Sequence, residues 1–359
     1  MNDIGNKIKE LRTLMNLSLQ DLAKLVNVSK AAIQQYENGS TKPSNLVLKN
    51  IASALAVNVW DFYRIPKYSL DLNSVRFRDA HTLSDANKEA STIKKDVINY
   101  IENYLELETI IGSEIVFENP INDMIISNYN DIEKAVKKVR KKWKLGNSPI
   151  DSVCNLLESK GIKIVTVNRN TGSGGLCAWV NNIPVIILND YLEHTRETTR
   201  RRFTIVHELG HLLMKFNDAT IDKDKEESFC NRFAAAFLLV DEVAHSFIGK
   251  DRTSISLGEL KEIKTTYGIS IKSIIYRMNS LKLIDDNIKD RIISEYEIWY
   301  SDRKDFGEYI KSDEKPKRFF ELLRTALTEQ RIEKYKASEL SSIPIDKLKE
   351  LTIKNFNLN

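Results

Sequence analysis

Cysteine is scarce in this chain: three in 359 residues, Cys154, Cys177 and Cys230, far apart. That excludes a disulfide framework and a zinc ribbon. Long hydrophobic runs are missing too. No apolar stretch reaches the ~18 residues of a membrane helix, and the first 30 residues read as charged helix rather than a leader. Neither sign of charge dominates, with 54 Lys+Arg against 50 Asp+Glu and a net charge of +4. A gross nucleic-acid coat is therefore excluded, and any such binding must rest on local patches. No internal repeat stands out. The expectation is a soluble protein of the reducing cytoplasm, built from two or three domains.

Histidine is also rare, at five. Two of the five fall in His207-Glu208-Leu209-Gly210-His211, which spells H-E-x-x-H. Apolar residues at Phe203, Val206, Leu209 and Leu213 give the segment a helical period. On a helix the i, i+4 spacing puts both imidazoles on one face, where they can share a divalent ion. Glu208 then points at a water on the open coordination position. Two imidazoles alone make a weak site, so a third ligand is required. It is sought in a second helix, Lys225 to Leu239, whose face Glu227, Cys230, Asn231, Ala234 and Leu238 can pack on the first. Ala234 to Ala236 would allow close approach of the two backbones. Glu227 leads as ligand. Glu226 would more naturally point to solvent, and Cys230 and His245 are alternatives. The ligand set prefers Zn²⁺, with Mn²⁺ or Fe²⁺ also compatible.

The stretch from about Ile162 to Leu239 resembles the ImmA/IrrE family of bacterial metallopeptidases. Gly174-Gly175, Ile186-Ile187-Leu188-Asn189, Arg201-Arg202-Phe203-Thr204-Ile205-Val206 with the motif, and Glu227-x-x-Cys230-Asn231-x-Phe233-Ala234-Ala235 carry the likeness. The family has Ala at the position of Cys230 and usually Pro after the Leu238-Leu239 pair, where this chain has Val240-Asp241. The resemblance implies metal binding by His207, His211 and Glu227, with Glu208 as general base. An oxyanion donor is also expected, and Tyr191, Tyr267 and Arg232 are candidates. The strand Val185 to Leu188 is expected to hold an extended peptide if it lies at a sheet edge.

The N-terminus carries a second pattern. Ile4 to Leu14 is an amphipathic helix. Ser18-Leu19-Gln20-Asp21 reads as a capping box opening a helix to Val26. Ser29 caps a third helix, Lys30 to Glu37, ended by Asn38-Gly39. Helices over Asn45–Leu55 and Val59–Phe62 follow. Two short helices on a tight turn within a five-helix unit read as helix-turn-helix. Leu22-Ala23, Val28-Ser29, Ile33-x-x-Tyr36-Glu37-Asn38-Gly39 and Lys42-Pro43-Ser44 resemble the lambda-repressor-like (XRE) family. The third helix would enter the major groove with Ser29, Lys30, Ala31, Gln34 and Gln35 outward, while Asn38, Ser40 and Lys42 reach the DNA backbone. Residues 1–66 hold eight basic and five acidic side chains, a mild excess.

The resulting layout is a helix-turn-helix domain over 1–66, a helical connector over 67–129, the peptidase-like domain with a trailing helix-turn-helix-like segment over 130–284, and a C-terminal helical subdomain over 285–359. The fold class is mainly α with a small β-sheet, an α+β zincin-like core. Ser84 to Ile111 reads as one long helix serving as spacer or dimer seam, so a homodimer is compatible. The basic run from Lys137 to Lys144 reads as a solvated face. Leu257–Tyr267 and Ile271–Leu281 read as a helix pair completing the core, with Leu283-Ile284 able to open a wing.

By resemblance, active relatives cut transcriptional repressors and control mobile elements or stress responses. The chain is thus expected to bind an operator and cleave a helix-turn-helix repressor, with no membrane involvement. The other reading is a DNA-binding regulator, antitoxin-like, whose peptidase-like domain is inactive or sensory.

Overall fold

A computed structural model describes residues 3–348, apart from 16, 56, 58, 63–75, 78–86, 170–173, 192–196, 218–220, 250–251 and 303–305. The helix-turn-helix unit comprises α1 (Asp3–Leu14), α2 (Leu19–Val26), α3 (Lys30–Glu37) and α4 (Asn45–Ala54), then a single 3-10 turn over Val59–Phe62. Local chemistry sets these boundaries. Ser18 and Asp21 form the capping box of α2. Asn27 ends that helix in the left-handed region at φ 58°, which a short polar side chain tolerates. Ile8, Leu22, Ala23, Ile33, Leu48 and Ile51 close a core of their own. Glu37 is buried but paired, its carboxylate taking Arg12 Nε at 2.5 Å and Nη2 at 3.0 Å.

The rest of the chain is built on a four-stranded sheet. In chain order the strands are β1 (Arg76–Phe77), β3 (Lys163–Val167), β4 (Gly175–Val180) and β5 (Ile183–Asn189), with β2 (Ile125–Ile126) and β6 (Lys215–Phe216) pairing separately. The order across the sheet is β1-β4-β5-β3; only β3 and β5 run parallel. The side-chain period of two divides the sheet between two cores. Ile164, Cys177, Ile186 and Leu188 face the main core. Val165, Leu176, Ala178, Val185 and Ile187 face the other side and meet Ile93, Val97, Ile98 and Ile101 of α5 (Asn87–Ile111). The long helix is therefore no spacer, and its apolar stripe is used inside the chain rather than at a dimer seam. Its far end, Tyr104 and Leu107, takes the C-terminal helices α14 (Arg318–Thr328) and α15 (Lys334–Ser341).

On the main-core face lie α6 (Tyr129–Lys142), α7 (Val153–Glu158), α8 (Thr198–Leu213), α9 (Lys223–Leu238), α10 (Asp241–Ile248), α11 (Leu257–Tyr267), α12 (Ile271–Ser280) and α13 (Asp286–Ser301). Leu260, Ile263, Ile274 and Ile275 of the α11–α12 pair are buried in the main core, as expected. Leu283 and Ile284 are buried there too and lead into α13, so no wing forms. The basic run of α6 is solvated except at Arg140. That side chain is buried and gives its donors to the carbonyls of Gly146, Phe237 and Ser148, at 2.9, 2.7 and 2.7 Å.

Candidate metal centre

Two helices make the site, and their ends are set by side-chain caps. Glu197 accepts from Arg200 N at 2.8 Å to open α8. Asp222 accepts from Lys225 N at 2.8 Å to open α9. The helices pack closely where Gly210 faces α9. A Cβ there would meet Cys230 Sγ at 3.4 Å and Phe233 Cδ1 at 3.4 Å. On the other side of α8, Gly175 lets β4 approach. A Cβ on it would fall 2.4 Å from Thr204 Cγ2 and 3.3 Å from Glu208 Cγ and Oε1.

This packing brings His207, His211 and Glu227 together as one group of converging ligand atoms. The Nε2 atoms of His207 and His211 are 3.1 Å apart. Glu227 Oε2 is 3.2 Å from His207 Nε2, and Oε1 is 3.1 Å from His211 Nε2. A tetrahedral ion with ligands ~2.1 Å away spaces them about 3.4 Å apart, so the triangle has the right size.

The outer partners fix the tautomers. His211 Nδ1 lies 3.0 Å from Glu226 Oε1, and His207 Nδ1 lies 3.0 Å from Asn231 Oδ1. A carboxylate only accepts, so Nδ1 of His211 carries the proton and its Nε2 lone pair faces Glu227. Lone pairs turned on one another need a cation between them or a proton on the ring. Without an ion, hydrogen bonding to Cys230, Glu226 and Glu227 overcomes the opposing effect of burial and pushes His211 up to about 12. Glu227 is held far below the usual carboxylate range, chiefly by its hydrogen bonds to His207 and His211. The cluster thus demands positive charge, and the residues fit a divalent ion.

Glu208 is buried against Gly175, with the Cys177 thiol donating to it. Burial pushes its carboxyl up, against the pull of His207 and His211. Glu226 does not point to solvent, because it orients His211. Cys230 touches the His211 ring instead of joining the triangle. His245 is engaged within its own helix, its Nδ1 bonded to the Asp241 main-chain oxygen at 2.9 Å. Among the oxyanion candidates, Arg232 is engaged by Glu133 at 2.7 Å, and Tyr267 is buried with its ring against Phe247. Tyr191 is half exposed, two residues past Asn189, whose N–H donates to Gly174 O at 3.0 Å beside this site. The strand Val185–Leu188 is not an edge: β5 lies between β4 and β3. Composition and spacing gave no sign of Cys177 at the base, because a lone cysteine on a strand carries no local signature.

In the N-terminal unit, Ser29, Lys30, Ala31, Gln34, Gln35, Asn38 and Lys42 are all exposed, while Ile33 and Glu37 turn inward. The Ser29 hydroxyl caps α3 by accepting from Ala32 N at 3.1 Å. Among the described residues, no helix is long and apolar enough to cross a membrane.

Comparison with known proteins gives two family matches. Residues 8–59 match the helix-turn-helix family, and residues 157–279 match the IrrE N-terminal-like domain of peptidase M78. The chain thus carries an XRE-like helix-turn-helix at its N-terminus and an ImmA/IrrE-like domain behind it. A protein of Methanothermobacter thermautotrophicus, provisionally named an HTH-type transcriptional regulatory protein, is 27% identical over 120 residues, which is 33% of this chain and 34% of that one. The match therefore spans about a third of the relative's length. Among solved structures, Bacillus thuringiensis PlcR with the peptide PapR7 and DNA aligns over 99% of this chain and 100% of its own, at 14% identity and a TM-score of 0.18. ComR from Streptococcus suis aligns over 98% and 96%, at 11% identity and a TM-score of 0.17. Scores so low carry no structural equivalence.

Proposed function

We propose that this chain, a helix-turn-helix unit joined to an IrrE N-terminal-like domain, is a DNA-binding zinc metallopeptidase of the cytoplasm that cuts a transcriptional repressor at a defined site. The observation that carries the reading is the convergence of His207 Nε2, His211 Nε2 and Glu227 within 3.2 Å, with both Nδ1 atoms held from behind. A structural site has no need of Glu208, and this chain places one there. When bound, Zn²⁺, or Mn²⁺ in its place, supplies Lewis acidity and lowers the pKa of a coordinated water.

The chain's own residues do the rest. Glu208 is raised by burial toward the range of a useful base, takes a proton from the attacking water and returns it to the leaving nitrogen. The Cys177 thiol holds that carboxylate in place. Glu226 and Asn231 keep the imidazoles turned toward the ion. The exposed face of α3, with Lys30, Gln34 and Gln35, suits a major groove, so the helix-turn-helix would bring the peptidase to an operator near its target. The substrate reading is a helix-turn-helix repressor, taken from the resemblance.

The test uses purified full-length protein loaded with zinc and the helix-turn-helix regulator encoded beside it. Wild type should yield discrete fragments, abolished by a chelator. Glu208→Gln should bind zinc normally and cut nothing. Equal cutting by both would refute the role of Glu208. The provisional name of the Methanothermobacter relative favours a second reading, a regulator with a sensory metal site. Operator binding with no proteolysis by the zinc-loaded wild type would support it.

A further inference from the structure

The metal helix is gripped at its N-terminal end by a segment far away in sequence. Arg202, on α8, is fully buried. Its guanidinium pairs with Glu314 and donates to the carbonyls of Ile150 at 2.7 Å, Gly268 at 3.0 Å and Asp151 at 3.2 Å. The Tyr309 ring covers it, 4.2 Å from the guanidinium carbon to the centroid. The Tyr309 hydroxyl then ties to Ile150 O and Asp151 O, both at 2.8 Å.

Glu314 is equally buried and uses both its side chain and its main chain. The carboxylate takes the N–H groups of Val153 at 3.1 Å and Cys154 at 3.0 Å, and its carbonyl takes Arg201 Nε at 2.8 Å. Its φ is 48°, a left-handed conformation costly for a non-glycine residue and kept only where the surroundings enforce it. Between Tyr309 and Glu314, both buried, the chain rises to the surface, with Ile310 85% exposed. The family match stops at residue 279, so both residues lie outside it.

We infer that the segment from Tyr309 to Glu314 is a latch that sets the rotation of the metal helix through Arg202, and that Glu314 is a positioning residue for the metal centre. This rests on the metallopeptidase reading above. Arg202 stands about 140° around the helix from His207, at ~100° per residue. Releasing it frees α8 to roll. An imidazole Nε2 ~6 Å from the axis moves about 1 Å for a roll of ~10°, whereas metal–ligand distances tolerate only ~0.2 Å. His207, His211 and Glu208 ride on α8 while Glu227 sits on α9, so a roll breaks the triangle without unfolding either helix. Arg318 opens α14 four residues after Glu314, so lifting the α14–α15 pair from α5 pulls on the latch.

The test is metal binding by the full-length protein. Zn²⁺ affinity is measured by competition with a chromophoric chelator, and the visible absorption band of bound Co²⁺ reports the ligand geometry. Circular dichroism selects a temperature at which each variant is folded. Glu314→Gln should weaken zinc binding at least tenfold and reduce the Co²⁺ band. Tyr309→Leu keeps the ion pair but removes the ring, should weaken binding about threefold, and serves if Glu314→Gln does not fold. A merely structural role would lower the melting temperature and leave the Co²⁺ band of the folded variant unchanged, which would overturn the latch alone. A wild type that binds neither metal would overturn the metallopeptidase reading, and the latch with it.

Discussion

Gly175→Ala puts the approach of β4 to the metal helix under direct strain. The new methyl would stand 2.4 Å from Thr204 Cγ2, where carbon atoms in contact want ~3.5–4.0 Å. More than an ångström must open. Thr204 has little room to swing aside, because a helix leaves its β-branched side chain only two χ1 rotamers. The helix cannot drift either, since Arg201 and Arg202 hold its first turn and Gly210 seats it on α9. The strand is fixed by pairing with β5, Gly175 facing Leu188. Overpacking of this kind costs about 1–3 kcal/mol.

Thr204→Ser removes the offending methyl and keeps the hydroxyl, at a cost of about 0.8 kcal/mol for the lost group. The double variant should therefore be more stable than the sum of the singles by about 1–2 kcal/mol, a coupling that a double-mutant cycle isolates. Thermal unfolding of the chelated protein, followed by circular dichroism, is the assay. At ~2–4 °C per kcal/mol, Gly175→Ala alone should lower the midpoint by about 2–12 °C. The new methyl also stands 3.3 Å from Glu208 Oε1, and Thr204→Ser does not relieve that contact. Repressor cleavage should thus stay impaired in the double variant while stability recovers. A single-variant loss under ~0.5 kcal/mol, or strict additivity, would show that the close approach is not what holds β4 against α8.

Removing Glu226 by Glu226→Gln, or Asn231 by Asn231→Ala, should weaken zinc binding about 10–100-fold with the ligands intact, read by chelator competition; unchanged affinity would demote both to bystanders. The chelated protein should lose stability as pH rises from about 6.5. His211 is raised to about 12 in the folded state, so its contribution is complete below the unfolded value and is lost with rising pH. Zinc-loaded protein should lack this dependence in melts between pH 6 and 9, roughly the span over which a free imidazole deprotonates. Glu133→Ala should cost about 3–5 kcal/mol in unfolding measurements, because it leaves the buried Arg277 guanidinium, now bonded to Glu133 at 2.5 and 2.9 Å, with only the Leu239 carbonyl and no opposite charge. Gln34→Ala should weaken operator binding by about 1–3 kcal/mol in titrations at fixed salt and relax the preference at one base pair.

The parts legible in the sequence are those fixed by local chemistry. A capping box at Ser18, a helical period through Val206 and Leu209, and two histidines four residues apart each state their geometry within a few positions. The parts that were not legible are decided by how separate elements of the chain meet in the fold. Glu226 reads as a first-turn acid favoured by the helix dipole, and only the angle at which α9 crosses α8 turns it onto His211. Arg140 reads as one lysine-like charge in a basic run, and only the path of residues 146–148 and the end of α9 buries it. An aliphatic run such as Val185 to Leu188 tells of a strand buried on both faces but not of its neighbours, and its central place between β4 and β3 is decided by the fold.

That division bears on where variation can be tolerated. His207, Glu208, His211 and Glu227 lie on two helices joined by a short connection, so the ligand set is nearly a local property of residues 207–227. The orientation of that set is a property of the whole body: Cys177 on β4 holds Glu208, Asn231 on α9 holds His207, and Glu314 beyond the last helix of the core holds Arg202 on the helix that carries them. A fragment ending near residue 280 would retain every ligand and the base but lose Tyr309 and Glu314, leaving Arg202 buried without its carboxylate. Breaking a buried pair in this way costs about 3–5 kcal/mol, a large share of the ~5–15 kcal/mol that holds a typical domain folded. The shortest functional unit is therefore expected to run past Glu314, and a fragment over 87–280 that folded and bound zinc as tightly as the full chain would contradict that expectation.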